Sequence, residues 1–146
     1  MKVVITSTLL LMLGCKTTKP APPFGGGSEH LYAHRWTLVE VDGRLVTPTQ
    51  TQKEAHLLFA LPNRLTGSTG CNRLTGTFAL SGGEGIKFSP VATTRMICPG
   101  GSDVETQFVN ALGKVDTYRV DDTALLLSNG RTVVARLQAR PASQPR

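Results

Sequence analysis

The chain has 146 residues, room for one domain and short appendages, with 40% hydrophobic but only 5% aromatic residues. Its formal charge of +6 is carried by scattered arginines with no dense basic run, which argues against a nucleic-acid-binding surface. A chain of this size buries roughly two-thirds of its unfolded surface, so one modest core suffices for independent folding.

At the N-terminus, Lys2 precedes an apolar run from Val3 to Leu13 broken by Thr6, Ser7 and Thr8. The run is too short to cross a bilayer as a helix, which takes about 20 residues. It suits the apolar region of a secretory signal, typically about 7–15 residues long. Gly14-Cys15 follows at once and resembles a bacterial lipobox, in which the cysteine thiol is acylated and the chain is cut just before it. Gly14 fits the small residue of that motif; Leu13 is bulkier than usual, and Met12 stands where leucine is commonest. The reading is therefore a lipoprotein signal peptide over 1–14 and lipidation at Cys15. The competing reading is a plain or uncleaved signal with Cys15 as an ordinary thiol. Lys16 to Gly27 is rich in Lys, Thr, Pro and Gly, with Phe24 as its one large apolar residue, so it reads as a tether extending over 15–34. Lys16, rather than aspartate, after the cysteine resembles lipoproteins sorted to an outer membrane, on the periplasmic side.

A domain is expected over 35–138. "RWTLVEVDGRLV" alternates Trp36, Leu38 and Glu40 against Thr37, Val39 and Val41, then turns at Asp42-Gly43. "EAHLLFALPNR" places Ala55, Leu57, Phe59 and Leu61 on one face, and "RLTGTFALSGG" does the same with Leu74, Gly76, Phe78 and Leu80. "GIKFSPV" adds a short strand. One helix is expected over about 103–115: Ser102 and Glu105 have capping-box spacing, and Val104, Phe108, Ala111, Leu112 and Val115 share a face. Three strands follow as a meander, with turns at Asp121-Asp122 and Asn129-Gly130, and residues 139–146 read as a disordered tail. The expected class is α+β: a curled or cracked antiparallel, barrel-like sheet of about seven or eight strands with one helix.

"GSTGCNRLTGTF", "FSPVATTRMICP" and "ETQFVNALGKVDTYRV", in this order, resemble the META domain of HslJ-like bacterial lipoproteins over roughly Arg35 to Leu137. The resemblance implies a conical antiparallel barrel interrupted by a helix, similar to a lipoprotein pilot of type III secretion. It also implies an envelope protein associated with stress and antibiotic tolerance. The family has no agreed catalytic motif, so no catalytic residues carry over, and no cofactor is expected.

Cys71 and Cys98 frame the remaining chemistry. A thiolate nucleophile needs a base, and His30, His34 and His56 are the candidates, two of them in or beside the expected tether. A zinc site needs tight ligand pairs, which these cysteines, 27 positions apart, lack. No Gly-Lys-Ser/Thr follows the glycines, so they do not form a phosphate loop. In an oxidising compartment, with Cys15 acylated, Cys71 and Cys98 are the pair left for a disulfide; two reduced, buried cysteines are the alternative. Gly67, Gly70, Gly76 and Asn72 then read as a backbone corner that tolerates positive φ or close approach. Asn72, Arg73, Thr94, Arg95 and Met96 form a candidate partner-binding rim beside it. The expected function is a non-enzymatic, membrane-anchored protein binding an envelope protein or a small apolar ligand. An envelope hydrolase is the alternative.

Overall fold

The computed structural model describes residues 27–47, 53–99, 102–121 and 123–141. The expected signal peptide, the lipidated Cys15, the first part of the tether and the end of the tail lie outside these residues. Ten strands and two helices follow one another as α1 (Ser28–Ala33), β1 (His34–Val41), β2 (Arg44–Leu45), β3 (His56–Ala60), β4 (Arg64–Ser68), β5 (Arg73–Ser81), β6 (Gly85–Phe88), β7 (Ala92–Thr93), α2 (Ser102–Lys114), β8 (Thr117–Asp121), β9 (Ala124–Asn129) and β10 (Thr132–Pro141).

Eight strands close a barrel in the order β1-β3-β4-β5-β6-β8-β9-β10, and β10 returns to pair with β1. All pairings are antiparallel. Two short strands extend the wall: β2 pairs with the end of β1, and β7 with the start of β5. Closure leaves few free edges, the solution an isolated small sheet needs.

The alternation expected for β1 holds through Trp36 and Leu38, which are buried, and then reverses: Val41 is core and Glu40 is not. The register against β10 shifts between Leu38 and Glu40, so Val39 is an inserted bulge residue. A second shift, between Val133 and Ala135, interrupts the pairing of β10 with β9. Bulges add twist and bend the strand that carries them, as a tightly closing wall requires. Leu61, expected to share the core face of β3, lies in the turn that follows and is 74% exposed.

The interior is filled by Trp36, Leu57, Leu65, Leu74, Ile86, Leu125, Leu127 and Leu137, all essentially inaccessible. α2 lays Phe108, Ala111, Leu112 and the adjoining Val115 against this core, in contact with β1, β6, β9 and β10. The Ser102 side chain, half of the expected cap, lies outside the described residues.

The domain is longer at both ends than the sequence pattern implies. Residues 28–33, expected as tether, form α1, whose Leu31 is fully buried and whose Leu31 carbonyl accepts a hydrogen bond from Trp36 Nε1 at 3.0 Å. Leu31, the indole N–H and Tyr32, whose ring lies 6.2 Å from that of Phe78, bind these six residues to the barrel, a signal too sparse for periodicity. At the other end, residues 139–141, expected as disordered tail, continue β10 opposite His34, Arg35 and Trp36.

Candidate functional site

Between β4 and β5 the chain makes the glycine-rich corner. Gly70 takes φ +97°, a conformation that strongly favours glycine. At Gly67 a Cβ would run into the carbonyl of His56 on the neighbouring strand. The Thr69 N–H donates to the Asn72 carbonyl at 2.9 Å, and the Asn72 N–H donates to Thr69 Oγ1 at 3.0 Å, closing a tight turn. Positive φ therefore belongs to Gly70. Asn72, for which it was also considered, is absent from the positive-φ residues and does something else.

Asn72 is 4% exposed, and its amide is the hub of the corner. Oδ1 accepts from Thr94 Oγ1 and from the Met96 N–H, both at 2.8 Å. Nδ2 donates to the Glu105 carboxylate, at 2.8 Å to Oε2 and 3.0 Å to Oε1, with the Met96 carbonyl 3.4 Å away. A side-chain amide offers two donors and an acceptor with two lone pairs, and this site engages both ends. One residue thus ties the entry of β5, the loop after β7 and the first turn of α2 together. Glu105 was expected to cap its own helix; its carboxylate reaches across to the corner.

Cys71 and Cys98 form a disulfide, with Cα atoms 6.0 Å apart, inside the range that geometry allows. Each sulfur is taken up by the other, so neither is a thiolate in this state. The loop is further sewn to β5 by Arg73 N–H to Thr94 Oγ1 and Thr94 N–H to the Arg73 carbonyl, each at 3.1 Å. Of the rim residues named from sequence, Arg73, Thr94, Arg95 and Met96 are exposed and gathered at this corner. Asn72 is not at the rim; it lies beneath and holds the rim in place.

A second polar cluster escaped the sequence reading. Outside the barrel, Glu54 receives Arg35 Nη2 at 3.1 Å, Arg140 Nε at 3.3 Å and Thr37 Oγ1 at 2.9 Å. His56 Nδ1 lies 2.9 Å from the Glu54 carbonyl and 3.1 Å from Arg35 Nη2. Burial, joined by the Arg35 charge and partly offset by Glu54, holds the His56 pKa below its ordinary 6.5. The outward positions of β1 carried the only available signal, since Arg35 and Thr37 alternate with Trp36. One carboxylate between two guanidiniums is an ion-pair knot; it does not supply the two convergent acids that glycoside hydrolysis uses.

A cavity of about 140 Å³ lies where β2 meets α2, lined by Val41, Leu45, Val46 and Val104 with Arg44, Asp103 and Gln107. Pockets for drug-sized ligands run to about 300–1,000 Å³.

With this geometry described, the relatives can be placed. The META domain family matches residues 29–141. This chain belongs to that family. No curated protein matches it. A structure solved by NMR is 25% identical, covering 77% of this chain and 94% of its own, with a TM-score of 0.60. Another NMR structure, of a protein from Burkholderia xenovorans, is 23% identical over 96% of this chain and 99% of its own, with a TM-score of 0.64. The crystal structure of a DUF4847 family protein from Bacteroides vulgatus is 16% identical over 80% and 99%, with a TM-score of 0.55. The latter two likenesses concern the fold alone. The matched span of the META domain begins at Glu29 inside α1 and ends with β10, in line with the longer limits of the folded unit.

Proposed function

We propose that this META domain protein is a non-enzymatic, lipid-anchored envelope scaffold that binds or helps assemble other envelope components. It would be held at the outer membrane through acylated Cys15 and face the periplasm. The observation that carries this reading is the sulfur arithmetic. Cys71 and Cys98 are bonded to each other, leaving Cys15 as the one remaining cysteine, directly after a short apolar run. Disulfides persist in oxidising compartments, and a lipobox cysteine is consumed by its lipid. Both are features of an exported chain. A role in stress or antibiotic tolerance is the finer expectation, drawn from the resemblance to HslJ-like lipoproteins.

Mass spectrometry of the full chain expressed in a bacterial host tests the anchor. The expected product lacks residues 1–14 and carries an acyl mass on Cys15, whereas the Cys15→Ser variant keeps residues 1–14 and gains no acyl mass. An unmodified Cys15 on an intact N-terminus would overturn the anchoring. In-cell crosslinking of the anchored chain should then capture a defined envelope partner, and the lack of any specific adduct would count against the assembly role.

A further inference from the structure

The Met96-Ile97 pair stands on a loop fixed on both sides. The Met96 N–H donates to Asn72 Oδ1 at 2.8 Å and its carbonyl lies 3.4 Å from Nδ2, so a buried amide grips this peptide much as a neighbouring strand would. Just beyond Ile97, Cys98 is bonded to Cys71. Between the two fixings Ile97 is 100% exposed and Met96 63% exposed. Apolar side chains offered to solvent on an already ordered loop are prepared for a contact, because the ordering cost of binding is met before the partner arrives.

Three exposed cations are attached to the same corner. Arg95 precedes Met96, Arg73 is sewn to the loop through Thr94, and the Lys53 N–H donates to the Gly70 carbonyl at 2.8 Å; all three side chains are exposed. Two acids lie near. Glu105 is half-buried and turned onto Asn72, and Asp103 is exposed on the first turn of α2. Leu45, 72% exposed, shares a cavity with Asp103 and Val104, which carries apolar surface along that same helical turn. At the β1–β2 hairpin, exposed Asp42 and Arg44 balance one another.

A protruding apolar tip needs a socket on a protein partner. A bilayer interface accepts it without one, while anionic headgroups answer the flanking cations. We infer that Met96-Ile97 is a membrane-docking tip that inserts into an anionic bilayer, with Arg73, Arg95 and Lys53 on the headgroup phosphates. The inference rests on the reading of the chain as membrane-held, and adds orientation to it: the lipid retains the domain, and the tip decides which end lies on the surface. Twelve residue steps separate Cys15 from Gly27, a maximal reach of about 40 Å, longer than the roughly 33 Å of a ten-residue strand such as β10. The anchor therefore permits either end of the barrel to face the bilayer.

The test uses the mature chain from residue 15 onward, carrying Cys15→Ser and lacking the apolar run of residues 3–13, with vesicles of phosphatidylglycerol or of phosphatidylcholine. Ile97→Trp adds a reporter whose emission should shift to the blue, and be quenched by bromolipid, on phosphatidylglycerol vesicles. Trp36 is fully buried and serves as the constant background. Met96→Ser with Ile97→Ser should weaken vesicle binding by about tenfold or more, and Arg73→Ser with Arg95→Ser by roughly fivefold or more on the anionic vesicles alone. An unshifted reporter overturns the inference. So does equal binding of the double serine variant, which would locate any affinity elsewhere, or reporter burial by an acidic protein but not by vesicles. The positions are exposed, and an unchanged melting temperature checks that each variant folds. Acylation of Cys15 in the parent chain is read separately by mass, so loss of docking and loss of anchoring are distinguishable.

Discussion

The corner that joins β4 to β5 and the seam between β6 and β8 are two parts of the barrel wall held together in different ways. At the seam, one register pair, Gly85 with Thr117, is flanked by Ile86 N–H to the Asp116 carbonyl at 3.1 Å and Tyr118 N–H to the Glu84 carbonyl at 2.8 Å. Outside it lies an exposed ion pair, Arg119 to Glu84 at 3.5 Å; behind it sit buried Ile86 and Tyr118. The corner adds to its strand pairing a covalent link and a buried amide with defined partners. The seam is held by a few backbone hydrogen bonds and the packing behind them, and the corner also by side-chain and covalent bonds. That difference predicts very unequal responses to single substitutions.

Cutting the covalent link should have the largest effect. In the chain-entropy account, closing a loop of 27 residues stabilises by roughly 3–4 kcal/mol. Cys71→Ser with Cys98→Ser should lower the unfolding free energy by about that amount in urea titrations. A loss well under 1 kcal/mol would place the strength of the corner in its hydrogen bonds instead.

Asn72→Ala comes next. It strands the Met96 N–H and the Glu105 carboxylate, and a buried polar group without a partner costs about 1–3 kcal/mol. A net loss of about 2–3 kcal/mol is expected by calorimetry. Asn72→Asp sharpens the point: it sets a second carboxylate against Glu105, so its loss should shrink as the solution is acidified and a proton relieves the repulsion. A pH-independent loss would mean that the Asn72–Glu105 contact contributes little.

His56, which pairs with Ser68 at the base of the corner, gives a smaller and pH-dependent effect. Its folded pKa lies below the ordinary 6.5, so the unfolded chain takes up the proton first as the solution is acidified. The stability this contributes is whole above pH 6.5 and is lost as pH falls through the lowered folded pKa. His56→Gln should flatten the melting-temperature profile in that window, and an unchanged slope would refute the assignment.

At the seam, Glu84→Ala should change stability least, by about 0–1 kcal/mol, because exposed ion pairs contribute little. A larger loss in thermal melts would show that the seam depends on its side-chain ion pair, and would erase the contrast with the corner.

Much of this architecture was legible in the chain. The strand faces of β3 and β5, the apolar stripe of α2 and the turn pairs at Asp42-Gly43 and Asn129-Gly130 are local patterns, set by side-chain spacing and by which residues tolerate a tight bend. The cysteine pair was legible too, because counting thiols requires no coordinates. The bulge at Val39 was not, since inserting one residue reverses the inward face without altering composition. Nor was α1, whose attachment rests on Leu31 meeting Trp36 and Tyr32 meeting Phe78.

Local spacing thus determined an antiparallel, closing sheet with one main helix, and an isolated cysteine pair beside a glycine-rich bend. Tertiary structure alone decided that Asn72 is a buried hub, that Glu105 serves the corner, and that Met96 and Ile97 project from a fixed loop. It also brought Arg35, Glu54 and Arg140 into one cluster. The reason is physical: each of these roles joins groups far apart in the chain. A side chain's partners then depend on closure of the whole barrel, which no local pattern encodes.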